Sequence, residues 1–160
     1  MASLARISAG GAPYAVRRAT RADVGAIVEL IAADQIGATR DGGDLTPYER
    51  AFAAIDADPA QLVVVVTDDA RAVVGTLQLT VIPGLARRGA ARAQIEAVRV
   101  PEDLRGQGLG HALMEWAIGE ARRRGCALVQ LTSDKRRGEA HRFYGRLGFA
   151  ASHEGFKLRL

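Results

Sequence analysis

The chain has 160 residues, 22 Lys+Arg against 18 Asp+Glu, a formal charge of +4 and 48% apolar content. That length fits one domain able to bury a real core, with the composition of an ordinary soluble globular protein. No apolar run approaches the roughly 20 residues of a membrane span, and the lone Cys126 excludes an internal disulfide.

In chain order, "MASLARISAGGAPYAV" lacks the apolar stretch and cleavage site of a signal peptide, so residues 1–12 read as a frayed tail. The main domain is expected over 13–160, in the cytoplasm by default. "YAVRRAT" alternates and predicts a first strand from Tyr14 to Ala19. Thr20 and Asp23 resemble a capping box, opening a helix with the apolar stripe Val24, Ile27, Val28 and Ile31. After a polar glycine-bearing loop, Thr46, Pro47 and Glu49 predict an N-cap, a first-position proline and a capping-box acid for a helix to about Asp56. "QLVVVVTD" and "AVVGTLQLTVI" predict strands, the second with a bulge signal at Gly75. Pro83 to Ala91 is a basic loop, and "AQIEAVRV" is a further strand stopped by Pro101.

Beyond "DLRGQGLGHAL", Leu109, Leu113, Trp116, Ala117 and Ala121 recur at helical spacing until Gly125. "ALVQLTS" predicts a buried strand that Cys126 begins as a core residue, and Glu139 to Leu147 a short helix ended by Gly148. "FAASHEGFKLRL" predicts a closing strand or hairpin. The order is that of a mixed α/β domain with helices covering a central sheet.

Positive charge favours anionic partners. It is nearly all arginine, since Lys135 and Lys157 are the only lysines. Arginines lie along most of the chain rather than in one block with aromatics, which weighs against a nucleic-acid partner. His111, His141 and His153 show no zinc-ligand spacing, so no metal is expected. Trp116 reads as core, and Arg122–Arg124 as the solvated end of a helix.

The glycines of "DLRGQGLGHAL" invite three readings. A Walker A loop needs Lys-Ser/Thr after its last glycine, and His111-Ala112 stands there. A dinucleotide fingerprint needs G-x-G-x-x-G and an acid about 20 residues on; the spacing here is G-x-G-x-G, with Asp134 too distant. Arg105-x-x-Gly108-x-Gly110 at a helix start remains. The first backbone N–H groups of a helix lack internal partners, and glycines let a pyrophosphate approach them. A glycine-rich turn that merely starts a helix has the same spacing.

Three segments together resemble the GNAT superfamily of acetyl-CoA-dependent N-acetyltransferases: "IEAVRVPEDLRGQGLGHAL", "GCALVQLTS" and "EAHRFYGRLGF". The resemblance implies a mostly antiparallel sheet of six or seven strands with about four flanking helices. It also implies a V-shaped splay between the family's fourth and fifth strands, where the acyl-pantetheine arm lies. Val98, Arg99 and Val100 would pair with that arm, the Val98 N–H facing the thioester oxygen. Arg105, Gly106, Gln107, Gly108, Leu109, Gly110 and His111 would hold the pyrophosphate.

Tyr144 matches the tyrosine that relatives use to protonate the departing thiolate, and a phenol near pKa 10 suits that task. Glu96, two residues before Val98, is expected on the same strand face and would deprotonate or orient the amine. Relatives often carry Asn where this chain has Arg137; Arg137 and Ser133 are further candidate contacts to the cofactor. The implied function is acetyl transfer from acetyl-CoA to a small-molecule or peptide amine by direct attack, without metal, membrane or nucleic acid. A non-catalytic acyl-CoA-sensing module is the alternative. Dimers are frequent in the family. The loop Gly37 to Leu45, with Asp41 and Asp44, is expected to shape the acceptor pocket.

Overall fold

Two consecutive glycines turn the expected tail into a hairpin. The computed structural model describes residues 3–33 and 41–160. In it β1 (Ala5–Ala9) runs antiparallel to β2 (Ala12–Arg18), with Ile7 opposite Tyr14. Gly10 and Gly11, at φ 56° and 80°, supply the two positive φ values of a tight hairpin turn. The first strand is therefore not Tyr14 to Ala19. The alternation Ala5, Ile7, Ala9 was masked because alanine carries too little apolar surface to stand out.

The sheet continues with β3 (Gln61–Thr67), β4 (Val73–Ile82), β5 (Arg92–Arg99) and β6 (Leu128–Gln130), in spatial order β1 to β6. All neighbours are antiparallel except β5 and β6, which are parallel. Strand alternation divides the apolar residues between two layers. Val16, Val64, Val66, Leu77, Leu79, Ala93 and Ile95 are buried on one face. Helix α4 (Leu109–Arg123) packs on this side through Leu109, Leu113, Met114, Trp116, Ala117 and Ala121, the expected stripe. Val63 and Val65 face the other way, in a cluster with Ala19 and Ile27 that Ile31, Phe52 and Ile55 complete. Those residues bring in α1 (Val24–Ala32) and α2 (Thr46–Ala57). Each fully buried leucine contributes about 1.5–3 kcal/mol.

Caps fix where these helices begin. A single 3-10 turn, Arg21–Asp23, precedes α1; the Asp23 carboxylate accepts from Thr20 N–H at 2.7 Å and Thr20 Oγ1 at 2.8 Å. Arg17 grips the same carboxylate with two bonds of 2.7 Å. At α2 the expected cap shifts: Thr46 is the first helical residue, not the N-cap. Asp44 Oδ1 accepts from both Thr46 N–H and Thr46 Oγ1, while Glu49 pairs with Arg21 at 2.8 Å. The Thr46 hydroxyl is thus spent on Asp44, and the Glu49 N–H donates to Leu45 O instead. The basic loop holds a short helical turn, α3 (Ala86–Gly89), in which Arg87 and Arg88 adopt left-handed φ of 55° and 59°.

The chain divides into two compact units, Met1–Gln130 and Leu131–Leu160. The strand expected over "ALVQLTS" is reduced to half-buried β6, which among the described residues pairs with Arg92, Ala93 and Gln94. Cys126 lies just before it, half-buried, and burial raises its thiol pKa. The second unit holds α5 (Gly138–Arg146), close to the expected helix. Gly148 at φ 89° ends it, with Phe149 N–H donating to Tyr144 O and Gly148 N–H to Gly145 O, the paired bonds of a Schellman motif. Residues 151–160 form no strand, contrary to expectation, and Phe156, Leu158 and Leu160 are exposed. Alternation alone does not make a strand without a ladder partner.

Candidate active site

The register of β4 against β5 changes at one residue. Gln78 stands opposite Glu96, but Thr76 stands opposite Arg99, so β5 spends one more residue than β4 over this stretch. Ala97 absorbs the excess at φ 50°, in the left-handed region that costs an L-residue about 1–2 kcal/mol. The sheet face expected for Glu96 and Val98 is thereby corrected: the ladder gives Glu96 and Arg99 equivalent positions, because the bulge interrupts alternation. Gly75 on β4 is part of the same crowding, since a Cβ there would lie 3.2 Å from Val66 Cβ and 3.4 Å from Arg99 O.

Pairing between β5 and β6 ends at Gln94 opposite Gln130. Residues Ile95 to Arg99 thus run on beyond the last rung, with no β6 residue opposite them. Glu96 is exposed and has no hydrogen-bond or ion-pair partner among the described residues. Val98 O accepts from Arg99 Nη1 at 2.8 Å, and Val100 O from Arg105 Nε at 3.4 Å.

A 3-10 turn, Glu102–Leu104, leads from β5 into the glycine loop. Gly106 and Gly108 have φ of 76° and 89°, and Gly108 is the N-cap of α4. A Cβ added at either would meet no atom within 4 Å. The space beside this backbone is open, as a cradle for an extended anion requires. Ala112 N–H donates to Gly108 O at 2.9 Å; the N–H groups of Leu109, Gly110 and His111 precede it in the first turn, at the positive end of the helix dipole. Leu109 is 1% exposed, so only its main chain can face a ligand. Gln107 Nε2 donates to Asp103 O at 2.8 Å, and His111 Nε2 lies 3.3 Å from Glu115 Oε1. Arg105 is exposed at the loop's mouth.

In the second unit, Tyr144 is half-buried on α5, edge-on to Phe143 and Phe149 at centroid distances of 5.2 and 5.9 Å. Asp134 Oδ1 accepts from Arg136 N–H and Nε, each at 2.9 Å, and that guanidinium holds the exposed Asp134 carboxyl well below its usual range. Arg137, half-buried, caps the start of α5, and Ser133 is half-buried ahead of Asp134. Of the expected acceptor loop, residues 37–40 lie outside the described residues. Asp44 is engaged by Thr46, which lowers its pKa.

One group escaped the sequence reading. Gln61, Thr80, Gln94 and Gln130 stand in register across β3 to β6. Gln78 Nε2 and Thr80 Oγ1 donate to Gln61 Oε1 at 3.0 and 2.8 Å, and Gln130 Nε2 donates to Gln94 Oε1 at 2.7 Å. The polar positions of "GTLQLT" were its only signal.

The site is thus framed by a mixed α/β fold whose sheet ends in the parallel pair β5–β6, with a glycine-rich helix start following β5. Residues 27–149 match the model of the Acetyltransferase (GNAT) family, and the chain belongs to that family. It is similar to an aminoalkylphosphonate N-acetyltransferase of Salmonella typhimurium, 41% identical over 67 residues, covering 42% of this chain and 44% of that protein. The match thus spans less than half the length of that relative. Among solved structures, a transcriptional regulator from Bacillus halodurans C-125 is 42% identical with a TM-score of 0.87, over 92% of this chain and 99% of that one. An acetyltransferase of Trypanosoma brucei is 26% identical with a TM-score of 0.76, over 92% and 99%. The mixed α/β fold with its single curled sheet is the one expected. No helix among the described residues is long and apolar enough to cross a membrane.

Proposed function

We propose that the chain transfers the acetyl group of acetyl-CoA to a primary amine by direct attack in a ternary complex. The observation that carries this is the open, left-handed glycine backbone at Gly106 and Gly108, set at the start of α4 just after β5. Backbone N–H groups from Gly108 to His111, with Arg105, bind the pyrophosphate. Arg137 and Ser133 add contacts to the donor, and the main chain of Val98, Arg99 and Val100 pairs with its pantetheine arm.

Glu96 takes a proton from the ammonium, leaving a neutral amine. The amine nitrogen attacks the thioester carbon, and the Val98 N–H donates to the oxygen that becomes negative. One such donor supplies about 3 kcal/mol in other acyl transfers. The intermediate loses a proton to solvent, the carbon–sulfur bond breaks, and Tyr144 protonates the departing thiolate before recovering its proton from water.

The relative named for aminoalkylphosphonates supports an aminoalkyl acceptor and makes those compounds the first to try. Thiol release from acetyl-CoA across a panel of alkylamines, polyamines, amino acids and aminoalkylphosphonates tests the reading, with release expected for at least one class. Tight CoA binding without release from any amine favours the second reading, a non-catalytic acyl-CoA sensor. The similarity to a protein described as a transcriptional regulator speaks for that alternative.

A further inference from the structure

Gln78 and Glu96 are register partners on adjacent antiparallel strands. Directly opposed residues of this kind have Cβ atoms roughly 5 Å apart on one sheet face. The Gln78 amide is turned by its neighbours: Nε2 donates to Gln61 Oε1 at 3.0 Å, and that oxygen also accepts from Thr80 Oγ1 at 2.8 Å. With its nitrogen turned to Gln61, the Gln78 amide has its carbonyl oxygen at the other end. Among the described residues neither Gln78 Oε1 nor the Glu96 carboxylate has a donor. Two free acceptors therefore stand side by side, one neutral and one anionic.

An alkylammonium carries three N–H donors and no acceptor, which complements this pair. We infer that Gln78 is a specificity-determining residue for the acceptor, binding a second N–H of the ammonium that Glu96 deprotonates. Gln61 and Thr80 are positioning residues that keep the Gln78 oxygen, rather than its NH2, toward Glu96. A tertiary ammonium has one N–H and cannot satisfy both oxygens. The pair thus favours primary amines over their N,N-dimethyl forms.

The inference rests on the acetyl-transfer reading, and the experiment separates the two. Thiol release is followed with acetyl-CoA and 2-aminoethylphosphonate, then with the best primary amine of the panel and its N-methyl and N,N-dimethyl derivatives as inhibitors. Gln78→Leu is expected to raise KM for the primary amine about 10- to 100-fold, the loss of one bond to a charged group. KM for acetyl-CoA should stay within about twofold. Gln78→Glu, which keeps an acceptor oxygen, should rise less, and Gln61→Leu should fall between. The wild-type preference for primary over dimethylated ammonium should shrink in Gln78→Leu. Gln78→Met provides the same comparison should the leucine variant fail to fold. An unchanged amine KM and preference in a folded, active variant overturns the inference alone. No thiol release by the wild-type chain with any amine overturns both.

Discussion

The tip of the N-terminal hairpin lies against the glycine loop: a Cβ added to Gly10 would sit 3.1 Å from Gln107 Oε1 and 3.7 Å from Gln107 O. Gln107 in turn donates to Asp103 O at 2.8 Å. The loop's shape is thus braced from both sides. Gly10→Val places a branched side chain at φ 56° and against Gln107. It should raise KM for acetyl-CoA severalfold while kcat changes little, and cost about 1–2 kcal/mol of stability. Steady-state kinetics beside a denaturant titration check this; an unchanged acetyl-CoA KM would show that the hairpin does not brace the loop.

Gly108→Ala tests the helix start itself. At φ 89° an alanine is strained by about 1–2 kcal/mol, and its methyl enters the open space beside the first-turn N–H groups. CoA affinity should fall at least about tenfold, measured by calorimetry, with a modest drop in melting temperature. Full affinity in the variant would remove the pyrophosphate role.

The Asp23 carboxylate, hydrogen-bonded to Arg17 and Thr20, has its pKa lowered to about 2 from 3.8. A depressed folded-state pKa means stability that is present above the unfolded value and lost as pH falls from about 4 through about 2. That shift corresponds to about 2 kcal/mol, and Asp23→Asn also strands a half-buried Arg17. Thermal melts should show a deficit of about 2–4 kcal/mol at pH 7 that narrows toward pH 2. A deficit independent of pH would point to packing instead.

Tyr144→Phe removes one oxygen and keeps the ring that packs on Phe143 and Phe149. Stability should change by less than about 1 kcal/mol. Turnover should drop by about 10²-fold or more with CoA binding retained. Undiminished turnover would mean that water or another group protonates the thiolate.

What could be read from sequence was local. The glycine loop and the stripe Leu109, Leu113, Trp116 and Ala117 follow from spacing within one turn or two, and both stand where expected. The capping role of Asp23 was legible for the same reason. Features set by distant pairing were not. The length of β6 depends on how far β5 stays alongside, which nothing within "ALVQLTS" records. Ala97 gives no hint of its left-handed backbone, since glycine or asparagine is the usual sign of one. Gln61, Gln78 and Gln94 gave no sign of a shared role because their alignment across the sheet exists only in the register.

The inserted residue in β5 also works as a phase shift. Before Ala97 the strand presents even-numbered positions, Gln94 and Glu96, to one side; after it, the odd-numbered Arg99 takes that side. A single chain segment thereby shows two different alternations, one for each half. Any substitution scan across Arg92 to Arg99 should consequently lose its two-residue rhythm at the midpoint, with effects at 96 and 99 grouping together rather than at 96 and 98.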